Sequence, residues 1–98
     1  MFGGDAKLTI TNKSENTIEE ILVEEPFSKK INIIQNLKIN ESKTLPIEIK
    51  TGEVDVQIII FQKNDTLTLS HYMESSYSDE IIIFNDSVNF KVGSELFQ

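Results

Sequence analysis

The residues with chemistry to offer are few, and they gather in one place. His71 is the sole histidine among 98 residues, cysteine and tryptophan are absent, and both tyrosines, Tyr72 and Tyr77, follow closely behind it. A lone histidine makes no zinc site without further nitrogen or sulfur ligands. As a catalytic base it needs a nucleophile beside it and a third group to orient it. In the series Leu67, Leu69, His71, Met73 it keeps the phase of apolar neighbours, which reads as a half-buried side chain of a sheet. Paired carboxylates are the other candidates: Glu24 with Glu25, Glu53 with Asp55, and Asp79 with Glu80. Such pairs can hydrolyse glycosides or hold calcium through oxygen alone. None has calcium-loop spacing, and a solvated face accounts for each. No residue is therefore assigned to catalysis, a cofactor or a metal, and the chain is expected not to be an enzyme.

What remains is a contact surface. The segment His71-Tyr-Met-Glu-Ser-Ser-Tyr-Ser-Asp-Glu80 sets aromatic residues beside a serine-rich polar stretch. Aromatics next to a flexible polar loop are a common way for a β-sandwich to bind partners. The expected partner-binding set is Tyr72, Met73, Glu74, Tyr77, Asp79 and Glu80; the structural alternative is that both tyrosines cover a sheet end. Four glycosylation-type tripeptides, beginning at Asn12, Asn40, Asn64 and Asn85, all fall between apolar runs. They read as turn chemistry, because Asn and Ser bond their own backbone.

Charge excludes more than it selects. Nine lysines and no arginine stand against 16 acidic residues, for a net charge of −7 and a pI near 4.6. Nucleic acid, which needs a cationic face, is excluded as a partner, and the bidentate fork of arginine is missing. The acidity reads first as solubility, and second as a decoy that shows carboxylates to a basic partner. No wholly apolar run is longer than Ile58–Phe61, far short of a spanning helix, so no membrane insertion is expected. Met-Phe-Gly-Gly-Asp-Ala-Lys at the start is not a signal peptide. The expectation is a cytoplasmic location for a complete chain, and a cell-surface or secreted one if an export signal has been removed.

The elements that must position these residues are short and alternate. Val54, Val56, Ile58 and Ile60 share one face of a strand, as do Val88, Phe90 and Val92. Similar runs recur between Asn, Asp, Ser and Gly turns, at 6–12, 30–37, 43–50, 54–62, 66–73, 80–84 and 87–92. Residues 17–25 stay open: Ile18, Ile21 and Leu22 have helical spacing and Asn16 with Glu19 resembles a capping box. The β-branched residues, closing Pro26 and flanking strands favour a strand, bulged if need be. Pro46 places its strand at a sheet edge or a bulge. Residues 1–5 and 94–98 are expected to fray. The reading is one all-β domain, an antiparallel two-sheet sandwich of seven or eight strands. Its expected core is Leu8, Ile10, Leu37, Leu45, Ile47, Val56, Ile58, Leu69, Ile81, Ile83, Val88 and Phe90.

The layout resembles the immunoglobulin-like and fibronectin-like sandwiches common in bacterial surface, phage and lipoprotein modules. The resemblance rests on Leu8-Thr-Ile-Thr-Asn-Lys-Ser14 and on Leu37-Lys-Ile-Asn-Glu-Ser-Lys-Thr-Leu45. It implies a Greek-key order of strands and transfers no active site. The expected function is a non-enzymatic module that binds another protein through the 71–80 loop or an exposed strand edge. The alternative is a small acidic inhibitor, of the immunity or anti-defence type, that engages a basic surface.

Overall fold

The computed structural model describes residues 6–25, 28–49, 53–62, 65–74 and 77–93. They form eight strands: β1 Ala6–Asn12, β2 Ile18–Glu24, β3 Ile31–Leu37, β4 Ser42–Ile47, β5 Glu53–Gln62, β6 Asp65–Glu74, β7 Ser78–Ile83 and β8 Val88–Lys91. Two four-stranded sheets pack face to face, one in the order β4-β1-β7-β8, the other β3-β2-β5-β6. The expected two-sheet sandwich is therefore the fold. One pairing departs from the antiparallel rule: β1 and β7 run parallel, from Lys7↔Ser78 to Asn12↔Ile83. The expected frayed ends lie outside the described residues.

Strands β1 to β4 are one long hairpin folded across its middle. Its tip is closed by the Glu25 N–H bonding the Lys30 carbonyl. The inner arms pair from Glu24↔Ile31 to Ile18↔Leu37 in one sheet. The outer arms pair from Thr11↔Ser42 to Ala6↔Ile47 in the other. At the fold, Asn12 holds the corner from a fully buried position (0% exposed). Its Nδ2 donates to the carbonyls of Asn16 and Leu37, both at 2.9 Å. Its Oδ1 accepts from the Ser14 N–H at 2.9 Å and the Ser14 hydroxyl at 2.6 Å. The main chain of Asn12 is bonded as well, to Glu41 and Asn40. On the other arm a turn from Lys38 to Glu41 has Asn40 at φ 67, the left-handed value that a type II turn requires at its third residue. The Asn12 and Ser14 of the first glycosylation-type tripeptide are thus a buried corner.

The doubtful 17–25 segment is a strand, and its helix-like spacing has a cause. Ile18 and Ile21 both face the core while Glu19 and Glu20 face away, so the pleat changes phase once within β2. The partner strand breaks phase at the same level: Leu37 and Ile34 point in, and Gln35 and Asn36 point out. Asn36, at φ 54, makes the break in β3, since Asn tolerates the left-handed region better than most residues. The spacing of Ile31, Ile33 and Leu37 alone would put all three on one face, and the break overturns that phase. Ile31 and Ile33 are 51% and 58% exposed.

Most of the expected core is found inside. Leu8, Ile10, Leu37, Ile47, Val56, Ile58, Ile81 and Ile83 are buried, and Leu45, Leu69 and Val88 pack against them half-buried. Phe90 is the exception at 45% exposed, because four-residue β8 is an edge strand with nothing beyond it. Central β5 is apolar on both faces, as its run of isoleucines demands. Pro46 lies on edge strand β4, where a missing N–H costs no ladder bond. The Asn85-Asp86 tip joins β7 and β8 through a Phe84 N–H to Ser87 carbonyl bond. Neither tip residue has a positive φ, so the turn is not of the primed type that Asn and Asp often make in hairpins. Asn85 instead accepts the Glu15 N–H and ties the tip to the corner.

Candidate functional site

The 71–80 segment is mostly strand. β5 pairs with β6 over the full length of both, from Gln62↔Asp65 to Glu53↔Glu74, which carries the sheet through Glu74; β7 resumes at Ser78. Alternation along β6 turns His71 and Met73 inward and Tyr72 and Glu74 outward. In β7 it turns Asp79 inward and Glu80 outward. Met73 (0% exposed) and Asp79 are therefore buried, a correction to their expected place on a contact surface. Glu80 is half-buried and accepts the Thr11 hydroxyl at 2.6 Å. Tyr77 is half-buried, its carbonyl taking the Lys7 N–H. Tyr72 and Glu74 are exposed, on the outer face of the other sheet. The six expected contact residues thus divide among two outer faces and the interior.

His71 is buried as well, with Asp79 as its partner. Its Nε2–H donates to Asp79 Oδ2 at 2.8 Å, and Asp79 Oδ1 accepts the Gly93 N–H at 3.1 Å. Phe90 stacks on the imidazole with ring centroids 5.0 Å apart and planes 6° from parallel. These residues come from β6, β7 and β8, so the arrangement ties one sheet to the other on the side away from β3 and β4. A buried polar side chain is nearly always hydrogen-bonded, so the apolar phase of His71 called for a buried partner without saying which residue supplies it. Among the described residues no nucleophile bonds the imidazole, and its contacts there are those of a clamp between sheets. Two of the carboxylate pairs do not converge either, and Asp79 and Glu80 are one of them. Neighbours in a strand point to opposite faces: Glu24 is exposed, whereas Glu25 is buried and accepts from Asn32 Nδ2 and the Glu48 N–H. Among the described residues no three acidic, His or Cys side chains could hold a metal ion. Nor is any helix long and apolar enough to cross a membrane.

The sheet edges distinguish themselves more clearly. An edge strand leaves a row of N–H and C=O groups unpaired, and proteins blunt it with proline, charge or brevity. β4 carries Pro46 and Lys43, and β8 has four residues and ends on Lys91. β6 is bounded by Asp65 and Glu74, and the outward side chains at its centre are Thr66, Thr68 and Ser70. β3 has none of these devices. Ile-Asn-Ile-Ile-Gln-Asn-Leu contains no charge, proline or glycine. The Glu25–Lys30 bond fixes the alternation of the antiparallel ladder, which turns the peptide groups of Ile31, Ile33 and Gln35 away from β2 toward the open side. The same three residues expose their side chains.

An apolar row leads inward from this edge across the outer face. Ile33 stands opposite Leu22, and Leu22 opposite half-buried Ile59. Exposed lysines flank the edge, Lys29 and Lys30 before it and Lys38 after it, while the carboxylates of Glu25 and Glu20 are held by Asn32 and Gln35 within it. Among the described residues no lysine is within ion-pair distance of a carboxylate. Sequence reasoning missed this surface because the spacing of Ile31 and Ile33 puts them in phase with Leu37, a core residue; the absence of charge over 31–37 was the signal available. No protein-family profile matches this chain, and no curated protein sequence is significantly similar to it.

Proposed function

We propose that this protein is a non-enzymatic β-sandwich that binds another protein by accepting an extended segment along β3. One observation carries the reading: β3 is an unblunted edge whose outward peptide groups and exposed isoleucines belong to the same residues. In strand addition the main-chain bonds supply affinity and alternate side chains supply specificity. Here the incoming backbone would meet Ile31, Ile33 and Gln35. Its outward side chains would lie beside Ile31 and Ile33 and continue the row to Leu22 and Ile59. The immunoglobulin-like resemblance of Leu8–Ser14 and Leu37–Leu45 supports a binding module without lending it an active site. The clamp of His71, Asp79 and Phe90 holds the opposite side of the sandwich shut, so a new strand is added at β3 without parting the sheets.

The test is a nuclear magnetic resonance titration of the labelled protein with a neutral peptide of alternating valine and threonine. Amide shifts centred on Ile31, Ile33 and Gln35, lost in Ile33→Pro, are the expected result. Proline at this position removes an outward N–H and no bond to β2, so the variant should stay folded. Shifts centred on residues 71–80 instead would overturn the reading.

A further inference from the structure

We infer that the segment β3 accepts is apolar at alternate positions and carries carboxylates at both flanks. This inference rests on the strand-addition reading above and names the chemistry of its partner. The chain as a whole is acidic, with a net charge of −7, yet the line of β3 is bracketed by cations. Lys29 and Lys30 lie immediately before Ile31, and Lys38 immediately after Leu37. An added strand lies about 4.8 Å from β3 and about twice that from β2. The carboxylates closest to the strand are already engaged: Glu25 accepts from Asn32 Nδ2 at 3.0 Å and Glu41 from the Lys38 N–H at 2.9 Å, whereas no lysine is ion-paired among the described residues. Glu20 is further engaged by Gln35 Nε2 at 3.2 Å. The ends of an added strand therefore meet the lysines first.

The same lysines argue against a second copy of this chain. Any two-fold antiparallel pairing of β3 with itself brings Lys29 and Lys30 of one copy to the end that carries Lys38 of the other. Three cations would gather at each end of the new ladder, with an uncharged strand between them. A partner segment with acidic flanks converts both clusters into attractions. The −7 field resists a partner that is acidic throughout, so the acidic residues belong at the flanks of an otherwise uncharged segment.

Two synthetic peptides separate the possibilities. They share a valine–threonine core; one has two glutamates at each end, the other two lysines. Exposed ion pairs are individually weak, so the expected advantage of the glutamate-flanked peptide is about fivefold in Kd, shrinking as salt is raised. The double variant Lys30→Glu/Lys38→Glu should reverse the preference without moving the amide shifts away from β3. Equal affinity of both peptides, with shifts still at Ile31, Ile33 and Gln35, would leave strand addition standing and overturn the acidic-flank inference. Tighter binding of the lysine-flanked peptide would also overturn it and assign control to Glu20 and Glu24. No shift at β3 with either peptide would overturn strand addition itself. Dimers that sediment from the wild type but not from Ile33→Pro would make the occupant a second copy and overturn the inference.

Discussion

Replacing Asn12 with alanine should cost more than any other single polar change in the molecule. The side chain is fully buried and makes four hydrogen bonds at the corner of the folded hairpin. Not all are lost outright. The Ser14 hydroxyl still reaches the Asn16 carbonyl at 2.9 Å, which leaves both of those groups partnered. Two groups are orphaned in buried surroundings: the Leu37 carbonyl and the Ser14 N–H. At about 1–3 kcal/mol for each unsatisfied buried group, the expected loss is about 3–4 kcal/mol. That is a large share of the roughly 5–15 kcal/mol available to a domain of this kind. Asn12→Asp sharpens the test because it keeps the volume and the acceptor for Ser14. It removes both donors and sets a carboxylate against the Leu37 carbonyl, so its loss should equal or exceed that of alanine. Urea titration reads both, as a lower midpoint at constant slope. A loss below about 1 kcal/mol for Asn12→Ala, or an Asn12→Asp variant as stable as the wild type, would refute the corner as a hydrogen-bonded staple.

Three further outcomes follow from the geometry. Asp79→Ala strips the partner from His71 Nε2 and from the Gly93 N–H, so chemical denaturation should show a loss of about 3 kcal/mol, and Asp79→Asn a smaller one. Gly93→Ala would drive its Cβ into the Ser78 carbonyl oxygen, a backbone atom that cannot step aside; a thermal melt should register a cost of about 1–3 kcal/mol. Ile33→Lys changes a side chain that is 58% exposed, so stability should fall by less than about 1 kcal/mol while binding of the valine–threonine peptide is lost.

Much of the architecture was legible because alternation is a physical constraint on a half-buried strand. β1, β4, β5 and β7 keep strict phase, and Leu8, Ile10, Ile47, Val56, Ile58, Ile81 and Ile83 are buried as their spacing requires. Pro46 announced an edge because a proline has no N–H to give. The pattern was ambiguous in β2, where a strand was still the favoured reading, and misleading in β3, because a local event resets the pleat in each. A phase change at Glu19–Glu20 makes Ile18 and Ile21 look helical, and the left-handed Asn36 exchanges the faces of β3. Neither event shows in composition, since each depends on the partner strand breaking at the same level. The expected site suffered differently. Tyr72, Met73 and Glu74 are consecutive in sequence but lie on opposite faces of β6, and clustering along the chain does not become clustering in space. The pairing of His71 with Asp79 was invisible because it spans two sheets.

The nested pairing of β1 through β4 also sets an order of assembly. Every rung of the folded hairpin can form by zipping outward from the turn at Glu25–Lys30, each closure shortening the next. The parallel ladder has no such help: Lys7 must find Ser78 across most of the chain. Pairings this remote in sequence form late, and parallel ladders later still. Until β7 docks, β1 is an edge strand too, and Leu8 and Ile10 lack the cover that Ile81 and its neighbours bring. The hazard of this topology is thus transient. A refolding chain exposes an aggregation-prone edge that the finished sandwich no longer has, and refolding yield should fall with protein concentration even where the native protein stays monomeric.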